Sequence, residues 1–305
     1  MKIVKNSLIL SALVLLLGTS CNDEKQKDKE KKDDILVGEL PVIVDETILP
    51  LFLEHKEVFE SSYTSARIIP QAKSEVQAIN SLIKGDAHIA YLTRELTDEE
   101  NKSFKDRSIK PRVYEVAYDA LVLISNNASA DSVITKEQII ELLKGNKSGN
   151  ASLVLHDPNS SILRYFRDLG NIEKVANTYI TVEDNAVDVL DRVAKESNKI
   201  GMISYNQYLS LESSFTQKDK FRILSVLNDK LDTPKYVKPS QASLSTDEYP
   251  LKRTIYVLNY QPNLGLGIGF SAFITGDRGQ RIVLKSGLLP VTMPGREIII
   301  REKIN

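Results

Sequence analysis

Four short stretches carry hydroxyl or acidic side chains at points where a helix is expected to begin: VDETILP, PQAKSEV, YLTRELTDEE and HDPNSSILRYF. The first turn of a helix presents unpaired backbone N–H groups and the positive end of the helix dipole, which together attract an oxyanion. The candidate ligand-binding residues in these stretches are Asp45, Glu46, Thr47, Ser74, Thr93, Arg94, Asn159, Ser160, Ser161 and Arg164. Helix capping explains any one stretch alone, and only their combination predicts an anion-binding site.

Catalytic motifs find little support in the sequence. The three histidines, His55, His88 and His156, form no HExxH or similar pair of metal ligands, and no GxSxG nucleophile elbow is present. The segment GNKSGN lacks the spacing of a phosphate-binding P-loop. We therefore predict no enzyme activity, no metal and no cofactor.

The charge balance argues against a nucleic-acid partner. The chain has 40 Lys and Arg residues against 41 Asp and Glu residues, which gives a formal net charge of −1. A nucleic-acid-binding protein needs a broad basic face, which this balance does not indicate.

Predicted strands alternate with predicted helices along the chain. For example, SARIIPQA has the pattern of a strand, SEVQAINSLIKG that of a helix, and FSAFITGDRGQRIVLKSG, near the end, that of one continuous helix. Repeated strand–helix units predict parallel sheets covered by helices on both faces. Ligands of such sheets lie beyond the carboxyl ends of the strands, where the four polar stretches are expected.

The N-terminus predicts export and a lipid anchor. Two lysines precede an apolar run at residues 8–17, and three small residues then precede Cys21, the only cysteine of the chain. This order is typical of a secretory signal and resembles the lipobox of bacterial lipoproteins, whose cysteine is lipidated. The signal peptide would span residues 1–20 and a charged flexible tether residues 21–34. An ordinary signal peptide with a cysteine near the cleavage site is the alternative.

Several segments, in order and spacing, carry a family resemblance over about residues 38–292: SLIKGDAHIAYLTRELTDEE, VAYDALVLISNNAS followed by ITKEQIIELLKGN, KIGMISYN, YPLKRTIYVLN and GQRIVLKSGLLPV. On these segments the chain resembles the substrate-binding proteins of ABC phosphate importers, which have the type II periplasmic binding protein fold. The resemblance implies two α/β lobes, each a mainly parallel sheet flanked by helices, joined by two hinge strands at residues 117–124 and 253–258.

The same resemblance implies the organisation and role of the chain. Lobe 1 would comprise residues 35–117 and 254–305, and lobe 2 residues 118–253. The protein would be a monomeric, exported, lipid-anchored carrier at the cell envelope. It would capture inorganic phosphate or a related oxyanion between the lobes and deliver it to an ABC permease in the inner membrane.

The ligand residues of the family match this chain in part. In the second lobe, Ser160 and Ser161 fall on the family's serine and glycine, whereas His156 occupies the position of its arginine. The resemblance therefore leaves the clamping guanidinium absent unless Arg164 or Arg94 replaces it. In the first lobe, Thr47, Ser74, Thr93 and Arg94 match the three ligand-binding turns.

A carboxylate is also needed if the ligand is phosphate. Monohydrogen phosphate keeps a proton, so a carboxylate acceptor admits it and repels fully ionised sulfate. Asp45, Glu46 or Asp157 could be this acceptor, although Asp45 and Glu46 would equally favour a helix N-terminus. Two other functions stay open at this point: a sensing module for another small ligand, and an exported phosphate-ester hydrolase.

Overall fold

The computed structural model describes residues 34–295. The predicted signal peptide, Cys21 with nearly all of the predicted tether, and residues 296–305 lie outside the described residues. Within residues 34–295, no helix is both long and apolar enough to cross a membrane.

Thirteen strands and ten α-helices make up this part of the chain. The strands are β1 Gly38–Asp45, β2 Ala66–Lys73, β3 Ile89–Leu92, β4 Arg112–Asn126, β5 Val133–Ile134, β6 Ser152–Leu155, β7 Ile180–Val182, β8 Lys199–Ser204, β9 Phe221–Ile223, β10 Ser225–Asn228, β11 Lys235–Val237, β12 Lys252–Asn259 and β13 Leu289–Pro290. The helices are α1 Leu49–Ser62, α2 Glu75–Lys84, α3 Asp98–Asp106, α4 Lys136–Leu143, α5 Ser161–Gly170, α6 Ala186–Lys195, α7 Tyr205–Glu212, α8 Gln241–Ser245, α9 Leu266–Thr275 and α10 Asp277–Lys285. Short 3-10 helices occupy Glu46–Ile48 and Lys218–Lys220.

The main sheet runs through both lobes in the order β2-β1-β3-β12-β4-β8-β6-β7, with β13 and β9 also paired to β4. Strand β1 is parallel to β2 and β3, and β6 is parallel to β7 and β8. Strand β4 pairs antiparallel with β12 over its first part and with β8 over its last part. This two-lobed α/β architecture, with β4 shared by both lobes, is the predicted type II fold.

Helices cover both faces of the sheet, because successive residues of a strand point to opposite sides. In β1, Val42 and Val44 are fully buried in one cluster with Phe52 of α1 and Phe270 of α9. Their neighbour Ile43 is fully buried in a different cluster, together with residues of α2 and α3. Lobe 2 repeats this arrangement with two further clusters. Such burial on both faces explains the near-continuous apolar runs of the parallel strands.

The prediction of one continuous helix near the end of the chain is wrong. Helix α9 ends and α10 begins at Gly276, whose extended backbone, with φ −77° and ψ 173°, caps both helices. Asp277 follows as the first residue of α10. An acidic side chain there interacts favourably with the positive end of the second helix dipole, so the break is locally stable.

Candidate anion-binding site

The turn between β1 and α1 is organised by Asp45. This carboxylate is fully buried, and its Oδ1 accepts hydrogen bonds from the backbone N–H and the Oγ1 hydroxyl of Thr47, both at 2.9 Å. Burial raises the pKa of Asp45 above its ordinary value, while the nearby Arg253 opposes this shift. The first polar stretch therefore places a fixed hydroxyl, that of Thr47, in the interior between the lobes.

Thr47 meets a serine of the other lobe. Its Oγ1 lies 3.0 Å from the Oγ of Ser161, the first residue of α5, and both residues are fully buried. The guanidinium of Arg253 donates from Nη2 to Thr47 Oγ1 and from Nη1 to Ser161 Oγ, each at 3.0 Å. Because the Thr47 hydroxyl donates to Asp45, it accepts from Arg253 and Ser161. The Thr47–Ser161–Arg253 network thus joins both lobes through donor groups.

Arg253 is held in place by Asp119. The Nε and Nη2 atoms of Arg253 lie 2.9 and 2.8 Å from Asp119 Oδ2, and the two residues are cross-strand partners in β12 and β4. Asp119 Oδ1 also accepts from the backbone N–H of Asn206, at 3.1 Å. Burial raises the pKa of Asp119, and Arg253 opposes this shift. Neither residue was predicted from the sequence, although Asp119 is the only charge within one predicted hinge strand and Arg253 is the first residue of the other.

A second cluster surrounds Glu75, the first residue of α2, which is only 1% exposed. Arg164 of α5 donates from Nε to Oε1 and from Nη2 to Oε2 of Glu75, both at 3.0 Å. Arg94 donates from Nε to Oε1 at 3.2 Å, and the Thr93 hydroxyl lies 3.4 Å from Oε2. Glu75, which the sequence analysis did not select, therefore bridges the lobes and occupies the donors of three predicted ligand residues.

The third stretch begins a helix as predicted. Helix α3 begins at Asp98, where Thr97 and Glu100 form a capping box, and Thr93 and Arg94 lie in the turn between β3 and this helix. Arg94 pairs with Glu100, with Nη1 and Nη2 at 2.7 and 2.8 Å from its two oxygens. This pairing with Glu100 and the charge of Glu75 raise the pKa of Arg94, and burial opposes the shift.

The remaining two turns meet through their backbones. Ser74 caps α2 with its backbone and is buried, and its hydroxyl has no hydrogen-bond partner among the described residues. Val76, in the first turn of the same helix, donates its N–H to the carbonyl of Asn159 at 3.4 Å. Ser160 caps α5 by accepting from the N–H of Leu163, at 3.5 Å. The helix N-termini of α2 and α5 therefore face each other across the cleft.

Two of the three carboxylates considered as acceptors of the phosphate proton lie outside these clusters. Asp157 accepts from the N–H of Asn159 at 2.6 Å and shapes its own turn. Glu46 lies beside His156, with Oε1 3.3 Å from Nε2, although the two atoms are not aligned for a hydrogen bond. Asp45 is the one of the three that contacts Thr47 and Thr93.

Chemically, this arrangement offers donors from four turns and three arginines, Arg94, Arg164 and Arg253, to a small anion. The donors are already paired inside the protein: Thr47 with Ser161, and Arg164 with Glu75. An incoming oxyanion would therefore replace these contacts between the lobes.

Comparison with known proteins agrees with this fold. Residues 33–278 match the model of the PBP superfamily domain, and the chain belongs to this family of binding proteins. Similar proteins of known family confirm the resemblance to the substrate-binding proteins of phosphate importers. The chain is 24% identical, over 235 residues, to the phosphate-binding protein PstS of Staphylococcus aureus strain USA300, an alignment that covers 73% of this chain and 68% of the relative.

Solved structures share the fold. One from Clostridium perfringens, described as a phosphate ABC transporter substrate-binding protein with bound phosphate, superposes with a TM-score of 0.68 at 19% identity, covering 84% of this chain and all 100% of the other. An ABC-type phosphate transport receptor from Vibrio cholerae superposes with a TM-score of 0.64 at 17% identity, covering 83% of this chain and 100% of the receptor. These likenesses establish the two-lobed fold.

Proposed function

We propose that this protein is an exported, lipid-anchored substrate-binding protein that captures phosphate between its lobes for an ABC importer. The observation that carries the proposal is the Thr47–Ser161–Arg253 network, in which donors of both lobes converge at fully buried positions. The PstS relative and the fold support phosphate as the oxyanion.

Binding would proceed by opening and closing of the lobes about β4 and β12. In the open form Thr47 and Ser161 separate, and the Ser161 hydroxyl becomes free to donate to an entering oxyanion. The Thr47 hydroxyl would donate to the oxyanion by turning away from Asp45, to which it donates in this structure. Arg253 lies on the hinge strand β12 and stays fixed by Asp119, so its guanidinium presents the same two donors before and after closure. This guanidinium supplies the positive charge that the family's arginine would provide at the position of His156.

The hydrogen bonds of such a site are strong enough for a carrier. A micromolar dissociation constant corresponds to about −8.2 kcal/mol. Hydrogen bonds to a charged group contribute about 1.5–3 kcal/mol each, before the cost of association. Four to six such bonds suffice, and the two hydroxyls, Ser74, Arg253 and the first-turn N–H groups of α2 and α5 provide that number.

Titration calorimetry tests the proposal with phosphate, sulfate, molybdate and tungstate. We expect phosphate to bind, and Ser161→Ala and Thr47→Val to weaken binding at least tenfold. The exposed Ser213→Ala is the matched control and should leave the affinity within twofold. Absence of binding heat for all four anions at millimolar concentration would refute the phosphate-binding function.

The lipid anchor is a separate part of the proposal and needs its own measurement. When the full chain is expressed in a bacterium fed an alkyne-labelled fatty acid, the wild-type protein should carry the label. The Cys21→Ser variant should be exported without label. Equal labelling, or no labelling of either protein, would favour the ordinary signal peptide.

A further inference from the structure

A cavity of about 320 Å³ lies beside the site and is bounded by both lobes. Lobe 1 contributes Glu46 and the start of α1, and lobe 2 contributes His156, the start of α6 and one face of α7. The full lining is Glu46, Leu49, Pro50, His156, Asp184, Asn185, Ala186, Val187, Gln207, Ser210 and Leu211. Two turns link this cavity to the network, since Glu46 directly precedes Thr47 and His156 precedes Ser161 in the turn before α5.

Polar atoms in the wall of this cavity are buried and make no aligned hydrogen bond, although His156 Nε2 and Glu46 Oε1 lie 3.3 Å apart. His156 is 8% exposed, and neither ring nitrogen makes a hydrogen bond to any group within the described part of the chain. The same is true of Oε1 of Glu46. Buried polar groups are hydrogen-bonded in the great majority of cases, and each exception calls for an explanation. A ligand with hydrogen-bond donors that enters the cavity would satisfy these atoms.

The charges of the residues that line the cavity indicate the charge of its ligand. Two carboxylates, Glu46 and Asp184, border the cavity, and its lining includes no lysine or arginine. Apolar side chains form much of the rest, namely Leu49, Pro50, Ala186, Val187 and Leu211. A short hydrocarbon chain ending in an ammonium group matches this surface, since it buries apolar area and places its donors near carboxylates.

We propose that this cavity receives the aminoalkyl substituent of a phosphonate or phosphate ester whose phosphoryl group binds in the Thr47–Ser161–Arg253 network. The inference rests on the proposed function and specifies its substrate class. Glu46 of the cavity wall and Thr47 of the network are consecutive residues of one 3-10 helix, and their Cα atoms are about 3.8 Å apart. A linker of two carbons between phosphorus and nitrogen spans such a distance.

Three phosphonates that share a two-carbon linker test the inference in the full chain: 2-aminoethylphosphonate, propylphosphonate and 3-phosphonopropionate, alongside inorganic phosphate. Their substituents are cationic, neutral and anionic at neutral pH. We expect 2-aminoethylphosphonate to bind at least tenfold more tightly than propylphosphonate, and 3-phosphonopropionate to bind more weakly than either. The same order should appear in titration calorimetry and in ligand-induced shifts of the unfolding temperature.

Charge-neutralising variants test whether the carboxylates of the cavity cause the tighter binding of the amine. Asp184→Asn and Glu46→Gln should each remove most of the advantage of the amine over propylphosphonate, and Asp184→Asn should leave phosphate affinity unchanged. Asp219→Asn, an exposed carboxylate outside the cavity, is the matched control.

The outcomes separate this inference from the proposed function. Phosphate binding without any preference for the amine, or a preference unaffected by both variants, overturns the inference and leaves the proposed function standing. If neither phosphate nor any phosphonate binds, the proposed function itself fails, and the inference fails with it.

Discussion

Replacing Glu75 with glutamine should tighten oxyanion binding. The carboxylate of Glu75 lies where the donors of α5 and of the β3–α3 turn converge, and it accepts from Arg164, Arg94 and Thr93. An anion that enters the cleft competes with this internal carboxylate for the same donors. Glutamine keeps the size of the side chain and removes its charge, so the competition weakens.

The expected magnitude follows from the contacts. Arg164 makes two hydrogen bonds of 3.0 Å to Glu75, one to each carboxylate oxygen. Hydrogen bonds to charged groups contribute about 1.5–3 kcal/mol each to stability. If the ligand no longer has to displace one such bond, its affinity rises about 10- to 100-fold, because 1.4 kcal/mol corresponds to a factor of ten.

Calorimetric titration of phosphate into wild type and Glu75→Gln at neutral pH measures this difference. Glu99→Gln is the matched control, since Glu99 lies in the first turn of α3 and is exposed. Its affinity for phosphate should stay within twofold of wild type.

A weaker affinity in Glu75→Gln would refute this reasoning. In that case Glu75 would itself be a ligand residue, accepting the proton of monohydrogen phosphate, and discrimination against sulfate should fall at the same time. An unchanged affinity would show that the anion and Glu75 do not share donors.

Three further predictions concern stability. Arg253→Met should lower the free energy of unfolding by about 3–5 kcal/mol in urea titrations, because it leaves Asp119 buried and unpaired, and adding Asp119→Asn should recover part of this loss. Burial lowers the pKa of His55 from 6.5 to about 4, so the unfolded chain gains a proton before the folded protein does, and stability should fall by about 3 kcal/mol as the pH drops from about 6.5 to about 4. His55→Leu should flatten that dependence in urea titrations repeated across this pH range. Gly269→Ala should lower the unfolding temperature although alanine favours helices, because its Cβ would lie 1.8 Å from the carbonyl oxygen of Ile35.

Each of these predictions has a control in the chain. Arg281→Met breaks an exposed pair within α10 and should cost less than about 1 kcal/mol. His88→Gln changes an exposed histidine and should leave the pH dependence as it is. Gly265→Ala adds a Cβ with no atom within 4 Å and should be tolerated. If a variant and its control change stability equally, the role given to the contact that the variant alters is wrong.

The fold was predictable because local patterns and global architecture agree. Apolar strands followed by amphipathic helices indicate parallel sheets, and the structure has them in both lobes. The same logic places Thr47 and Ser161 near each other, since both follow the carboxyl end of a strand. The break between α9 and α10 was missed because apolar spacing continues across Gly276 and hides the extended residue there.

The charged partners could not be predicted from the sequence. Arg253 meets Asp119 only because β12 lies beside β4 in one register, which a single sequence does not specify. Glu75 resembles an ordinary acidic residue at a helix N-terminus, and its role depends on the position of α5, which brings Arg164 to it. Arg94 was predicted as a ligand residue, but the capping box of α3 places Glu100 within reach of its guanidinium.

Crystals grown with arsenate, a heavier analogue of phosphate, test the central claim most directly through the anomalous signal of arsenic. We predict one strong peak between the lobes, within hydrogen-bond distance of the Thr47 and Ser161 hydroxyls and of the Arg253 guanidinium. A peak elsewhere on the molecule, or none at millimolar arsenate, would contradict the claim that this cleft binds an oxyanion.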